Sequence, residues 1–417
     1  GTSVDSKSTR ILFLFLLFGL PLWVGATSPL AKLSLVAGCL LLLLLVLRKH
    51  TKIHSPPGLV PFSLFCLWLL LQVVPLPPFL LKFLLPGYLE RLEQGLWLLD
   101  PKAWHSLSLY PVATLNEFFR FSAYLAFYLA AANILISLKG QKRLLLWLSA
   151  FFGFYAFFGL AQFFSPTDRI FWFFSLWPEA GRFFATYVNG NHYAALLGMV
   201  FPLLVICLLL NIPHAGYGGL RDRLTDIFTD IELNQAILLG LVTIIAAVSV
   251  FFSLSRSGTF CLFASSLVLL LLLVGREQLR GRMLIFLSVL VAAVGLLAFF
   301  GWDPLIERFA KTFNADGELQ TQRLTYWLDS FNLFRAAPLT GSGAGTFIDT
   351  YPAVQTAITN GLVVDHAHND YVELLTDLGL IGFVLVLWFW IQFLWSVLPV
   401  WRQRRNRTSR LICAGSF

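Results

Sequence analysis

Residues 363–398 read VVDHAHNDYVELLTDLGLIGFVLVLWFWIQFLWSVL. The stretch changes character once. A polar head with Asp365, His366, His368, Asn369 and Asp370 gives way to an apolar run in which Glu373 and Asp377 are the last charges. The run is rich in Leu, Phe and Trp, lacks strict alternation, and is long enough to cross a bilayer core. With no water in the hydrocarbon, backbone groups must be paired inside the segment, so the expected form is a helix spanning about 371–398 rather than a barrel strand.

Working outward, nine more runs of the same kind lie at about 11–26, 29–47, 58–76, 112–137, 143–163, 191–212, 235–254, 257–274 and 282–300. Across all 417 residues 58% are hydrophobic and 12% charged, with mean hydropathy +0.76. Ordinary soluble domains are about 45–50% apolar and about 25% charged, so that class is excluded. The expected fold is an all-α polytopic membrane protein of about ten transmembrane helices. It divides into a membrane bundle over 1–300, a large loop over 301–370, and a tenth span with a basic loop over 371–417. The five Cys fall in apolar runs without CxxC spacing, which suggests neither a disulfide framework nor a thiolate metal site.

Lys and Arg set the orientation. The N-terminal segment, 48–52, 139–143, Arg221 and Arg223, 275–282 and 402–410 together hold 18 of the 30 basic residues in short loops. These segments are expected inside. The net charge of +8 therefore belongs to short membrane-flanking loops, and nucleic acid is not an expected partner. The segments 77–111, 164–190 and 301–370 are expected outside. A loop as long as the last is uncommon unless it carries structure or function. Within it, residues 320–338 place Leu324, Trp327, Leu328 and Phe331 at helical spacing before Pro338, which predicts a short amphipathic helix near the outer membrane surface. The first run, preceded by Lys7 and Arg10, resembles a signal peptide, but a second run follows at once and a retained span is expected. The chain stops at LICAGSF, where apolar sequence resumes, and reads as a piece ending at the start of a further span.

The chemistry is expected at 363–385. Asn369 or Asp370 suits the N-cap of the tenth span, and acidic residues in its first turns suit the helix dipole. Those roles leave the histidines unexplained. As an H-x-H pair with Asp365 or Asp370 they would resemble metal ligands, but no further His lies in the loop, so neither a metal nor a cofactor is expected. An imidazole accepts a proton from a hydroxyl nucleophile at neutral pH. Three outward arginines, Arg182, Arg256 and Arg323, form the second signal. Arg256 interrupts two spans with almost no loop, and an arginine at bilayer centre costs at least about 2.5–3.5 kcal/mol, so it is expected at the outer boundary or in a polar cavity. Guanidinium is suited to forked recognition of phosphate. LTGSGAGTF, 339–347, contains G-x-G but lacks the spacing and the strand-turn-helix setting of a nucleotide loop, and is expected to be a tight turn. Glu117 and Arg120 are expected to pair locally.

These residues resemble the bacterial O-antigen ligase and polymerase superfamily. Its signature is His, Asn/Ser/Gln, nine residues, Gly, two residues, Gly/Thr/Tyr; here it reads His368, Asn369, nine residues, Gly379, two residues, Gly382. GRFFATYVNGNHYAALL, LSRSG, the stretch from Arg323 to Phe347, and SLYPVATLNEFFR add to the resemblance, which covers roughly 100–395. The resemblance implies a multi-pass protein of the cytoplasmic (inner) membrane with an extracytoplasmic active face. It implies inverting, metal-independent glycan transfer from undecaprenyl diphosphate to an acceptor hydroxyl. By position, His368 would be the catalytic base, and Arg182, Arg256 and Arg323 would bind the diphosphate. Asn369, Asp370, His366, Gly379 and Gly382 would support them, the two glycines by giving the span a small face for a neighbouring helix. The acceptor would be lipid A core, a growing glycan (polymerase) or a protein hydroxyl (O-oligosaccharyltransferase). A lipid-linked glycan transporter is the rival class. It would place polar, broken helices at the midplane in repeated halves, and no internal repeat is evident.

Overall fold

The computed structural model describes residues 7–23, 25, 28–49, 52–84, 103–165, 169–175, 184–213, 229–274, 280–300, 323–356, 363–403 and 407–415. Each of the ten apolar runs falls on helical structure. The first run is α1 (Lys7–Leu14), continued by a π-helical turn at Phe15–Gly19 and by Leu20–Leu22. There follow α2 (Pro29–Leu47), α3 (Leu59–Val73), a short α4 (Pro78–Leu84), α5 (Pro111–Ile134), α6 (Leu138–Phe163), α7 (Gly190–Asn211), α8 (Ile231–Phe252), α9 (Arg256–Val274) and α10 (Arg280–Phe300). The expected loop helix is α11 (Arg323–Ala336); after it come α12 (Phe347–Thr350), α13 (Asp370–Gln403) and α14 (Arg407–Gly415). Strands β1 (Arg169–Ile170) and β2 (Phe174–Ser175) form a small antiparallel pair.

Among the described residues six helices, α2, α6, α7, α8, α9 and α13, are long and apolar enough to cross a membrane. α3 and the Met283–Phe299 part of α10 are apolar but shorter. Length and composition thus support six crossings outright, where the hydropathy runs suggest ten.

The chain divides into two compact units, Gly1–Phe13, Lys32–Asn133 and Leu319–Ser396 in one, and Leu14–Ala31, Ile134–Glu318 and Val397–Phe417 in the other. In the second, α6, α7 and α8 pack Phe152, Leu197, Phe201, Leu204, Ala246 and Val250 into one core. Buried hydroxyls there are satisfied in relay. Tyr193 donates to Ser249 Oγ at 2.7 Å, and Thr186 Oγ1, bonded to the Tyr155 hydroxyl at 2.5 Å, donates to the Pro21 carbonyl at 2.7 Å.

The first unit holds the glycine-rich stretch and the head of α13. Buried Gln72 on α3 ties them together: its Nε2 donates to the carbonyls of Thr340 (2.8 Å) and Asp377 (3.1 Å), and its Oε1 accepts from the Ala344 N–H at 3.3 Å. An unpaired amide in apolar surroundings is costly, so this residue fixes the register of loop against helix. Thr114 of α5 adds a bond to the Ala344 carbonyl at 2.9 Å. α13 is interrupted at Gly379, whose φ of 62° and ψ of −166° are not helical.

The two signature glycines therefore act otherwise than expected. A Cβ on Gly379 would lie 2.4 Å from the Leu339 carbonyl group, and one on Gly382 would lie 2.3 Å from Leu378 of the same helix. The nearest atoms at these two positions are those of the glycine-rich turn and of α13 itself.

α11 presents the expected apolar face outward. Leu324, Leu328 and Phe331 are 50%, 72% and 48% exposed, whereas Asp329, Ser330 and Leu333 are buried. The guanidinium of Arg335 lies 4.5 Å over the Phe331 ring.

Candidate active site

The site is built where α11 meets the entry to α13. Asn369 is the N-cap of α13; its Oδ1 accepts the N–H groups of Tyr371 (3.1 Å) and Val372 (3.3 Å), and its carbonyl accepts from Glu373 N–H at 3.0 Å. Asp370 opens the helix, where negative charge is favoured.

Glu373, one turn in, reaches back: Oε2 accepts the Ala367 N–H at 3.1 Å and Oε1 lies 2.8 Å from His366 Nδ1. The Ala367 carbonyl in turn accepts from Trp327 Nε1 of α11 at 3.0 Å. Ala367 is fully buried and its peptide groups are held on both sides, so the next residue is presented from a fixed base. That residue is His368, with φ 52°. A left-handed conformation in a non-glycine residue is uncommon and persists only where neighbours impose it.

α11 supplies the other wall. The Tyr326 ring lies 6.4 Å from that of His368 and packs edge-on to Tyr351, which stacks on Phe347. Buried Asp329 anchors this wall. It accepts from the Tyr351 hydroxyl at 2.8 Å, the Thr356 N–H at 2.9 Å and Thr356 Oγ1 at 2.7 Å. Burial and the Asp329 carboxylate push the Tyr351 hydroxyl upward from its ordinary value, so it stays a neutral donor. Arg323, three residues before Tyr326, is close enough for its charge to act on His368.

The two histidines are pushed in opposite directions. Partial desolvation of the His368 ring, reinforced by the Arg323 charge, lowers its proton affinity; Asp365 and Glu373 oppose this more weakly. The hydrogen bond that His366 Nδ1 donates to Glu373 raises that of His366, against a smaller desolvation. At neutral pH His368 is thus kept unprotonated, the form that accepts a proton from a hydroxyl.

The structure brings His368, His366, Asn369, Asp370 and Arg323 together in one unit. Arg256 belongs to the other unit, half-buried in the first turn of α9, directly after the junction with α8. Arg182 lies outside the described residues.

The stretch 339–347 is a turn, as expected, and the N–H groups at its centre are taken up within the protein. The N–H groups of residues 341–346 go to the Ala337, Thr376 and Asp377 carbonyls, Gln72 Oε1, Asp377 Oδ2 and the Gly343 carbonyl. Glu117 and Arg120 form the expected ion pair.

Sequence reasoning missed Glu373 as the partner of His366, and missed Asp329, Trp327 and Gln72. Asp329 had a signal: it is an acidic residue on the side of α11 opposite the apolar spacing.

Among the described residues no group of three or more His, Cys, Asp or Glu side chains is arranged to hold a metal ion. Comparison with family models matches residues 241–387, about a third of the chain, to the family described as O-antigen ligase. The matched segment contains Arg256, Arg323, the glycine-rich turn and the His368 signature. No curated protein matches the chain.

Proposed function

We propose that this chain, a member of the O-antigen ligase and polymerase superfamily, transfers a glycan from undecaprenyl diphosphate to an acceptor hydroxyl at the outer face of the cytoplasmic membrane. The observation that carries the reading is the placement of His368. An unprotonated imidazole is held in a strained turn at the head of a long apolar helix, beside a guanidinium and an aromatic wall. His368 takes the proton of the attacking hydroxyl. The hydroxyl oxygen attacks C1 of the first sugar from the side opposite the carrier, so the anomeric centre inverts. The bond from C1 to the diphosphate oxygen breaks and leaves undecaprenyl diphosphate. Arg323 binds the diphosphate through forked hydrogen bonds, the role that the resemblance also gives to Arg256 and Arg182. No metal is required in this scheme, since guanidinium groups supply the positive charge.

Purified protein in detergent, given lipid-linked glycan and a mixture of acceptors (lipid A core, free glycan and a Ser/Thr peptide), should release free undecaprenyl diphosphate and form one glycosylated product. The acceptor that gains the glycan identifies ligase, polymerase or protein transferase. Recovery of unchanged donor, with vectorial movement of it in vesicles, would replace this reading by that of a transporter.

A further inference from the structure

Glu373 holds one ring nitrogen of His366 and leaves the other to a ligand. His366 Nδ1 is bonded to the carboxylate at 2.8 Å while the side chain remains 62% exposed, so Nε2 is the nitrogen free to meet a bound molecule. Two residues on, His368 has the opposite setting, with Arg323 from α11 opposing its proton and no carboxylate bonded to it among the described residues. One imidazole is built to carry a proton and the other to lack one, which is the environment of a paired acid and base.

We propose that His366, oriented by Glu373, is the acid partner of His368 and donates from Nε2 to the departing diphosphate oxygen. The inference rests on the transferase reading above. In the step, the acceptor O–H gives its proton to His368 as its oxygen bonds to C1. The C1–O bond to the diphosphate breaks, its electron pair stays on the diphosphate oxygen, and that oxygen takes the proton of His366. His368 then loses a proton to solvent and His366 regains one, so the cycle closes without a further reactant. His366 faces Glu373 and Asp377 from α13 and Asp365 from its own loop; His368 faces Arg323 from α11, Asp365, Glu373 and His366. Glu117 on α5 lies within electrostatic reach of Glu373. The Glu373 carboxylate bonded to Nδ1 is the strongest of these influences and favours the protonated acid.

The test is the pH dependence of glycan transfer by the purified protein. The scheme needs His368 unprotonated and His366 protonated, so rate rises with pH through the first titration and falls through the second. Glu373→Gln keeps an acceptor for the Ala367 N–H but removes the charge, and should move the alkaline limb to lower pH. His366→Gln, at an exposed position that leaves packing intact, should slow transfer by about 10²-fold and abolish the alkaline limb. Alkaline limbs that superimpose in wild type and Glu373→Gln, or a His366→Gln enzyme with wild-type rate and profile, would overturn the proposal while leaving transfer established. Absence of transfer by the wild-type protein with every acceptor would overturn the transferase reading, and this proposal with it.

Discussion

Gly341 and Gly379 interlock. A methyl group on Gly341 would lie 2.3 Å from the Asp377 carbonyl group, and one on Gly379 would lie 2.4 Å from that of Leu339. Each glycine thus makes room for the backbone beside the other, and both have positive φ, 69° and 62°. The turn after α11 is seated in the break of α13, and this seat fixes the distance between the helix that carries Arg323 and the helix that follows His368.

Gly379→Ala should therefore destabilise the protein by more than the roughly 1–3 kcal/mol of an unfavourable backbone conformation, because backbone must also move. Gly341→Ala should do the same. Gly198→Ala, in a helix with open space around the added methyl, should be neutral or slightly stabilising. Thermal unfolding in detergent separates the three; equal midpoints for Gly379→Ala and wild type would refute the interlock.

Legibility in the sequence divided by range. Hydropathy located every helix that forms a long apolar element, because bilayer-length runs are a local property, and the helical spacing of Leu324, Trp327, Leu328 and Phe331 located α11. The signature singled out His368, and charge and capping preference narrowed the cap to Asn369 or Asp370, of which the structure uses Asn369. What escaped was set by distant partners. Gln72 looks like a stray polar residue in an apolar run, and its meaning lies in carbonyls near residues 340 and 377. Gly379 reads as a packing glycine until its φ is known. Glu373 suits a helix N-terminus on charge alone, and only the turn of chain at Ala367 brings it back to His366.

Asp329 should hold the aromatic wall through its three accepted hydrogen bonds. Asp329→Asn replaces one acceptor oxygen with a donor and should cost about 1–3 kcal/mol. Combined with Tyr351→Phe, the loss should be less than the sum of the single losses, since both remove one interaction. Strictly additive losses in a double-mutant cycle of unfolding midpoints would separate Tyr351 from Asp329.

The proposed outer placement of the site is open to chemical labelling. In a background lacking the five native cysteines, Ala353→Cys, exposed after α12, should react with an impermeant thiol reagent in intact cells. Lys139→Cys, exposed at the start of α6 within a basic segment, should react only after lysis. The reverse pattern would invert the topology and remove the site from the outer face.

Arg323 has two separable effects. Arg323→Lys keeps the charge but loses the fork, and should lower transfer about tenfold or more through weaker donor binding, with the acid limb of the pH profile in place. Arg323→Gln removes the charge as well and should also move that limb to higher pH, because the guanidinium contributes to lowering the proton affinity of His368. Wild-type turnover in Arg323→Lys would mark this arginine as an interface residue only.

His368 decides the chemistry. If it takes the acceptor proton, His368→Ala should reduce the transfer rate by about 10²–10⁴-fold while donor binding is nearly unchanged, the usual contribution of a positioned base. The sign of its pH dependence follows from its surroundings. Desolvation and Arg323 hold its proton affinity below the ordinary histidine value of about 6.5, so the unprotonated form, and the rate, should persist below that pH before falling. The acid limb should be absent from the residual activity of His368→Ala, since the group that titrates there is gone. Unaltered folding can be checked through the Trp327 bond to the Ala367 carbonyl, which depends on the backbone of the preceding residue and not on the imidazole. A His368→Ala protein with wild-type rate at matched expression would leave the arginines as the site's only chemistry and would end the base assignment.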